Sequence, residues 1–313
     1  MAARIPIRQT ITAAVAATTA TLLLAACGDQ TGTSQSGGTD GGRSDAPLFA
    51  KLPKKYQDAG VIRVGTDAAY APMEFMENGR IVGVDPDIAD ALGKQLGVKF
   101  VFTSGTFDSL ITSLTSGRQD VVMSSMSDTK ARQEGLDDKG QKTGNGVDFV
   151  DYFTAGSVVY VQKGNPQNIR SIADLCGRKA AVQRGTTFEN VVKTQSKKCE
   201  AEGRPAVAIE AFPTDAEAQT RVKAGGAVAG VNDFPVALHL ARTAGGGKTF
   251  EIVGEQIEAG PFGIAVDKKD TQLRDALAEA LDVIINDGSY KKALDKWGAG
   301  SGAVTSAEVN SGS

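Results

Sequence analysis

The sequence contains one histidine, His239, and three cysteines in 313 residues. A single histidine excludes a His-based metal centre and any Ser-His catalytic arrangement. Apolar length is also lacking near the N-terminus. The run from Ile11 to Ala26 is shorter than the roughly 20 residues needed to span a bilayer. Positive charge is not in excess: 34 Lys and Arg stand against 37 Asp and Glu, a formal charge of −3. Without Arg4 and Arg8 the balance is more negative still, which argues against nucleic acid as a partner. The reading therefore calls for no metal and no cofactor.

What is present starts at the N-terminus. Arg4 and Arg8 precede the short apolar run, the pattern of a secretory signal over residues 1–26. The run ends in Leu24-Ala25-Ala26-Cys27 and resembles a bacterial lipobox. That resemblance implies a lipid on Cys27, which would hold the protein at the extracellular face of the cell membrane. From Gly28 to Ala46 the chain is Gly, Ser, Thr, Gln and Asp with almost nothing apolar. Such a segment cannot bury enough surface to fold. Residues 27–55 are expected to be a lipid-anchored flexible linker. Cys176 and Cys199 remain, a candidate disulfide in an oxidising compartment, with two buried free thiols as the alternative.

Further along, strand-like and helix-like segments alternate. Val61 to Gly65 reads as a strand. Asp85-Pro86-Asp87 opens a helix, with Asp85 as N-cap and Pro86 at the first helical position. Ile88, Ala91, Leu92 and Leu96 share its inner face, and Gly97 stops it. Val98 to Phe102 and Asp120 to Met123 are strand-like, separated by a helix carrying Phe107, Leu110, Ile111 and Leu114. The alternation restarts at Lys179–Gln183 and runs to a long helix from Leu273 to Asp287 and a last piece ending at Trp297. This pattern predicts a mostly parallel sheet covered by helices. Two such α/β units suggest a cleft between them, with ligands bound outside the carboxyl ends of the strands. Gly245-Gly246-Gly247-Lys248-Thr249 is superficially a phosphate loop. However, Arg242 stands where its first Gly belongs and a strand follows, so it reads as a surface turn.

Four loops after strands carry polar and aromatic residues. They are Gly65–Phe75, Ser124–Arg132, Gln183–Thr187 and Val231–Pro235. At these residues the chain is similar to the family 3 extracellular solute-binding proteins, the polar amino-acid class of ABC importers. Gly83-Val84-Asp85-Pro86-Asp87-Ile88 resembles that family's G-F-D-x-D-[LI] signature, and Ser127 to Arg132 its [ST]-x-T-x-x-R segment. Gly185-Thr186-Thr187 resembles its G-T-T turn, and Asn232-Asp233 its late acidic position.

The resemblance implies an α/β, two-lobed periplasmic-binding-protein-like fold of type II, with two hinge strands and a cleft between lobes. Lobe 1 would be residues 56–156 plus 255–300, and lobe 2 residues 157–254. The hinges would lie at Ala155–Val161 and near Ile252–Gly260. Residues 301–313, rich in Gly, Ser and Ala, are expected to be a flexible tail.

A free amino acid carries a carboxylate and an ammonium on one carbon. Arg132 is the candidate for the carboxylate, because a guanidinium matches it with two parallel charge-assisted bonds. Ser125, Ser127, Thr186 and Thr187 would add hydroxyl and N–H donors, and Asp233 would accept from the ammonium. For Thr186, Thr187 and Asp233 plain helix capping is the alternative role. Tyr70 and Phe107 would cover the aliphatic part. Asp67 and Glu74 are candidates to meet a cationic side chain. Gln133 to Val147 departs from the family pattern as a polar, glycine-rich insertion.

The function expected is an amino-acid receptor, a monomer and not an enzyme, serving an ABC permease and ATPase. Basic amino acids are favoured as ligand, then glutamine or glutamate. A sensing receptor and a dehydratase-type enzyme on the same scaffold are the alternatives.

Overall fold

The structure, a computed structural model, describes residues 44–137 and 139–313. The signal segment and Cys27 lie outside the described residues. Leu48, Leu52 and Tyr56, four residues apart, are buried, and the Leu48 N–H donates to Gln95 O at 2.9 Å. Packed structure therefore begins at about Leu48, earlier than the linker boundary expected at residue 55. The periodic apolar residues outweigh the polar ones around them.

After α1 (Lys54–Ala59) comes β1 (Val61–Thr66), then a three-stranded meander of β2 (Ala69–Tyr70), β3 (Glu74–Glu77) and β4 (Arg80–Val82). Asn78 (φ 50°) and Gly79 (φ 76°) make the β3–β4 turn, the positive-φ pair that a tight hairpin requires. Helix α2 (Val84–Leu96), β5 (Lys99–Ser104), α3 (Leu110–Thr115), β6 (Val121–Val122) and α4 (Lys130–Glu134) follow.

The N-terminus of α2 differs from expectation. Gly83, not Asp85, is its N-cap, and no side chain caps it. The N–H groups of Val84 and Asp85 donate instead to Pro72 O and Met73 O, each at 3.0 Å. A Cβ on Gly83 would meet Met73 O at 2.2 Å, so glycine is required by both the contact and the φ of 137°. This frees the Asp85 carboxylate, which is buried.

The chain then runs through β7 (Val147–Gln162), β8 (Lys179–Gln183), α5 (Thr187–Ala201), β9 (Ala208–Phe212), α6 (Asp215–Lys223), β10 (Ala229–Asp233), α7 (Phe234–Thr243), β11 (Phe250–Asp267), α8 (Thr271–Asn286), α9 (Ser289–Trp297) and β12 (Glu308–Val309). Cys176 and Cys199 form a disulfide with Cα atoms 5.6 Å apart, linking the turn before β8 to α5.

The main sheet is ordered β5-β1-β6-β11-β7-β10-β8-β9, with β12 added on β7. β5, β1 and β6 are mutually parallel, as are β10, β8 and β9. The two parallel halves are joined by the long antiparallel pair β7 and β11. That pairing loses register between Val253 and Gly260, opposite Val159 to Ala155. The fold is thus a two-lobed α/β architecture with two shared strands.

The C-terminal segment also differs from expectation. Residues 301–313 are not a loose tail. β12 pairs with Val150 and Asp151 of β7. Asn310 exchanges bonds with the Phe149 backbone, and Ser311 donates to Asp151 twice. Backbone pairing holds this segment, and apolar composition does not reveal backbone pairing.

Candidate ligand-binding cleft

The loops of interest leave the carboxyl ends of β1, β6, β8 and β10. One cavity is lined by Asp67, Tyr70, Glu74, Phe107, Ser124, Ser125, Ser127, Arg132, Gln183, Thr186, Thr187, Phe188 and Asp233. The ten residues proposed from sequence all lie in it. Ser124, Gln183 and Phe188 were not foreseen. Ser124 and Phe188 adjoin chosen residues, and the position of Gln183 at the end of β8 was the available signal. Gln133 to Val147 contributes no lining residue. It folds back on its stem through a Leu136–Lys142 bridge.

The free space between the lining residues is only about 10 Å³, room for about one water. Direct contacts between the two parallel halves fill it. The Tyr70 hydroxyl lies 2.6 Å from Asp233 Oδ2 and also meets Asn232 Oδ1. Gln183 Nε2 donates to Asp67 Oδ2 at 2.6 Å. Ser127 and Thr187 hydroxyls are 3.1 Å apart. Arg132 donates to Ser127 O at 2.7 Å and across to Gly185 O at 3.0 Å. The space these thirteen residues enclose admits an amino acid once these contacts part, and a cavity of about 300 Å³ adjoins it at Ser127, Thr187 and Asp233.

Local structure decides several alternative roles. Thr186 is the N-cap of α5: its hydroxyl accepts from Glu189 N and donates to Gln183 O at 2.8 Å. The hydroxyl is therefore committed, and the first N–H groups of the helix remain as donors. Asp233 precedes α7 with no side-chain capping bond, so its carboxylate points to Tyr70 instead. Ser125 takes φ 47°, which turns its N–H onto Asp85 Oδ2 (3.1 Å) and its hydroxyl onto Glu74 Oε2 (3.3 Å). Ser124 Oγ donates to Glu74 Oε1 at 2.8 Å and accepts from Asp67 N. The Arg132 guanidinium stands 5.4 Å from the Phe107 ring centre, a cation–π distance.

The electrostatics are one-sided. Glu74 is fully buried, and burial, then the neighbouring Asp85 carboxylate, push its pKa well above the usual range. Burial likewise raises Asp67, Asp85 and Asp233 each to about 7, and Asp215, which bonds Asn232, to about 6. Against these stands the half-buried Arg132, pushed down to about 10 by burial and held up by the charges of Asp233 and Asp128. No carboxylate forms an ion pair with it among the described residues. Of these five acids Asp67, Glu74 and Asp233 line the cavity, and on releasing their protons the three, with Arg132, can hold a zwitterion and still have negative charge to spare. Among the described residues no group of three or more His, Cys, Asp or Glu is placed to hold a metal.

Residues 62–300 match the family model described as bacterial extracellular solute-binding proteins, family 3. The chain is similar to the arginine-binding protein ArgT of Corynebacterium glutamicum, 29% identical over 265 residues, which are 84% of this chain and 82% of that protein. It is similar to ABC transporter arginine-binding protein 1 of Escherichia coli, 29% identical over 255 residues, 80% of this chain and 96% of that one. Among solved structures, an ancestral arginine-binding protein bound to arginine superposes with a TM-score of 0.67 at 38% identity, covering 76% of this chain and 98% of that chain.

Proposed function

The chain belongs to family 3 of the bacterial extracellular solute-binding proteins, and from that premise we propose that it captures a free basic amino acid, L-arginine first, for an ABC importer. The observation that carries this is the charge of the cleft: Asp67, Glu74 and Asp233 against Arg132 alone. Arg132 and the N-terminus of α5 take the ligand carboxylate. Asp233 takes the ammonium, releasing Tyr70 to pack on the aliphatic chain. Asp67 and Glu74 take the distal cation, and Gln183 gives up its bond to Asp67. The ligand thus replaces bonds that the two halves make with each other. Closure is driven by the difference in ligand affinity between open and closed forms. The closed receptor, a monomer, is presented to a permease and its ATPase. Lipid on Cys27 would keep it at the membrane face, and Cys27→Ala would then release it into the medium.

The test is calorimetry with L-arginine, L-lysine and L-citrulline. Citrulline has nearly the shape of arginine with a neutral urea in place of the guanidinium. L-arginine should bind at least tenfold tighter. Equal affinities would overturn the assignment to cationic side chains, and no binding of any amino acid would overturn the function.

A further inference from the structure

We propose that the C-terminal segment Ser311–Gly312 is a positioning strap for the ligand-gripping Arg132: it occupies the carboxylate of Asp128 and so keeps that carboxylate from pairing with the guanidinium. This rests on the reading of Arg132 as the carboxylate grip.

Asp128 and Arg132 are four residues apart, Arg132 on α4 and Asp128 just before it, and the Asp128 charge acts on the Arg132 guanidinium. Asp128 immediately precedes Thr129, the N-cap of α4, and is buried. It nevertheless makes no ion pair with Arg132 among the described residues. Its two oxygens are taken elsewhere: Gly312 N donates to Oδ2 at 2.7 Å and Gln133 Nε2 to Oδ1 at 2.7 Å. Gln133 also donates to Gly312 O at 3.3 Å, which closes a small network. The strap is locked from the other side, where Asp151 Oδ2 accepts both the N–H and the hydroxyl of Ser311.

Space is as tight as the bonding. Gly312 is buried, and a Cβ there would meet Asp128 O at 2.1 Å. A buried carboxylate deprived of an N–H donor seeks another partner, because leaving it unpaired is costly. Arg132, on which the Asp128 charge already acts, is a nearby partner of opposite charge, whereas the Lys130 ammonium is engaged by Gln133 Oε1 at 2.8 Å. An Asp128–Arg132 pair would compete directly with the ligand carboxylate, leaving the rest of the cleft unchanged.

Gly312→Val expels the strap without shortening the chain. L-arginine and L-argininamide, which lacks the carboxylate, are the calorimetric probes. The variant should bind L-arginine at least tenfold more weakly and L-argininamide within twofold of the unmodified protein. Asp128→Asn added to Gly312→Val should bring L-arginine back to within threefold. An unchanged L-arginine affinity, equal weakening for both probes, or failure of the rescue would each overturn the proposal.

A ligand-free measurement separates this from the choice of ligand. A urea double-mutant cycle between Asp128→Asn and Arg132→Gln should show a coupling at least threefold larger, as a ratio of folding equilibrium constants, in the Gly312→Val background. No increase there overturns the strap whatever the ligand is. Absence of L-arginine binding to the unmodified protein, with the coupling increased, overturns only the ligand.

Discussion

Glu74→Gln should stabilise the ligand-free protein and weaken its ligand binding. Glu74 is fully buried beside Asp85, with two serine hydroxyls and no cation bonded to it. Burial and Asp85 raise its proton affinity in the folded state. Between an unfolded pKa of about 4.3 and the raised folded one, the folded protein holds a proton that the unfolded chain has released. Stability contributed by this group is therefore complete below about pH 4 and is lost as pH rises, by at most about 1.4 kcal/mol per pH unit. Glutamine does not titrate, so this slope vanishes in the variant. Its carbonyl can still accept from Ser124, and its amide can donate to Ser125 Oγ.

The stability curves of the two proteins should lie close near pH 4 and diverge above it, with the variant higher. For a chain of this size each pH unit of divergence is worth at most about 2–3 °C in melting temperature. Urea denaturation at pH 5, 6, 7 and 8 measures the divergence directly. The same variant loses a charged acceptor for the ligand cation, about 1.5–3 kcal/mol, so L-arginine affinity should fall about ten- to a hundredfold. Parallel pH curves, or a variant less stable throughout, would refute the buried-acid argument. An unchanged affinity would remove Glu74 from ligand contact.

Arg132→Ala should abolish binding, with a loss of at least about a hundredfold by calorimetry, while the melting temperature moves by only a few degrees, since the guanidinium bonds only backbone carbonyls. L-arginine affinity should fall as pH drops from 8 to 5, because Asp233, raised to about 7, must be ionised to hold the ammonium and Glu74, also raised, to hold the side-chain cation; Asp233→Asn should bind weakly and make that profile shallower by up to about tenfold per unit below pH 7, leaving the part that Glu74 contributes. Replacing Cys176 and Cys199 by serine should cost about 3 kcal/mol from the 23-residue separation, or about 5 °C of melting temperature, with L-arginine affinity retained because neither cysteine lines the cleft.

The cleft was legible because its residues sit at the ends of strands whose own apolar patterns are strong. Arg132, Asp233 and the Thr186–Thr187 turn stood out in the loops after those strands through their resemblance to the family's motifs. The meander β2-β3-β4 escaped because its strands are two to four residues long, although Asn78-Gly79 marked a hairpin turn. Asp85 was read as a cap because sequence shows an acid at a helix start. It does not show that Pro72 and Met73 carbonyls already serve that end. The long strands β7 and β11 were seen only in part, since residues such as Gly254, Glu255 and Gly260 interrupt their apolar pattern. The C-terminal strap was invisible for a related reason: its contacts are backbone and carboxylate bonds to residues more than 150 positions away.

The sharing of β7 and β11 has a consequence for synthesis. β11 fills the sheet between β6 and β7, and α8 and α9 pack on α2. The N-terminal parallel strands therefore wait for nearly the whole chain before their layer is complete. Residues 163–249, by contrast, supply β8, β9 and β10 with their helices in one contiguous stretch. A nascent chain stopped near residue 245 would hold three neighbouring strands beside an N-terminal portion with open strand edges. Late pairing of this kind slows folding, and the arrival of β11 becomes the step that closes the open strand edges of the N-terminal portion.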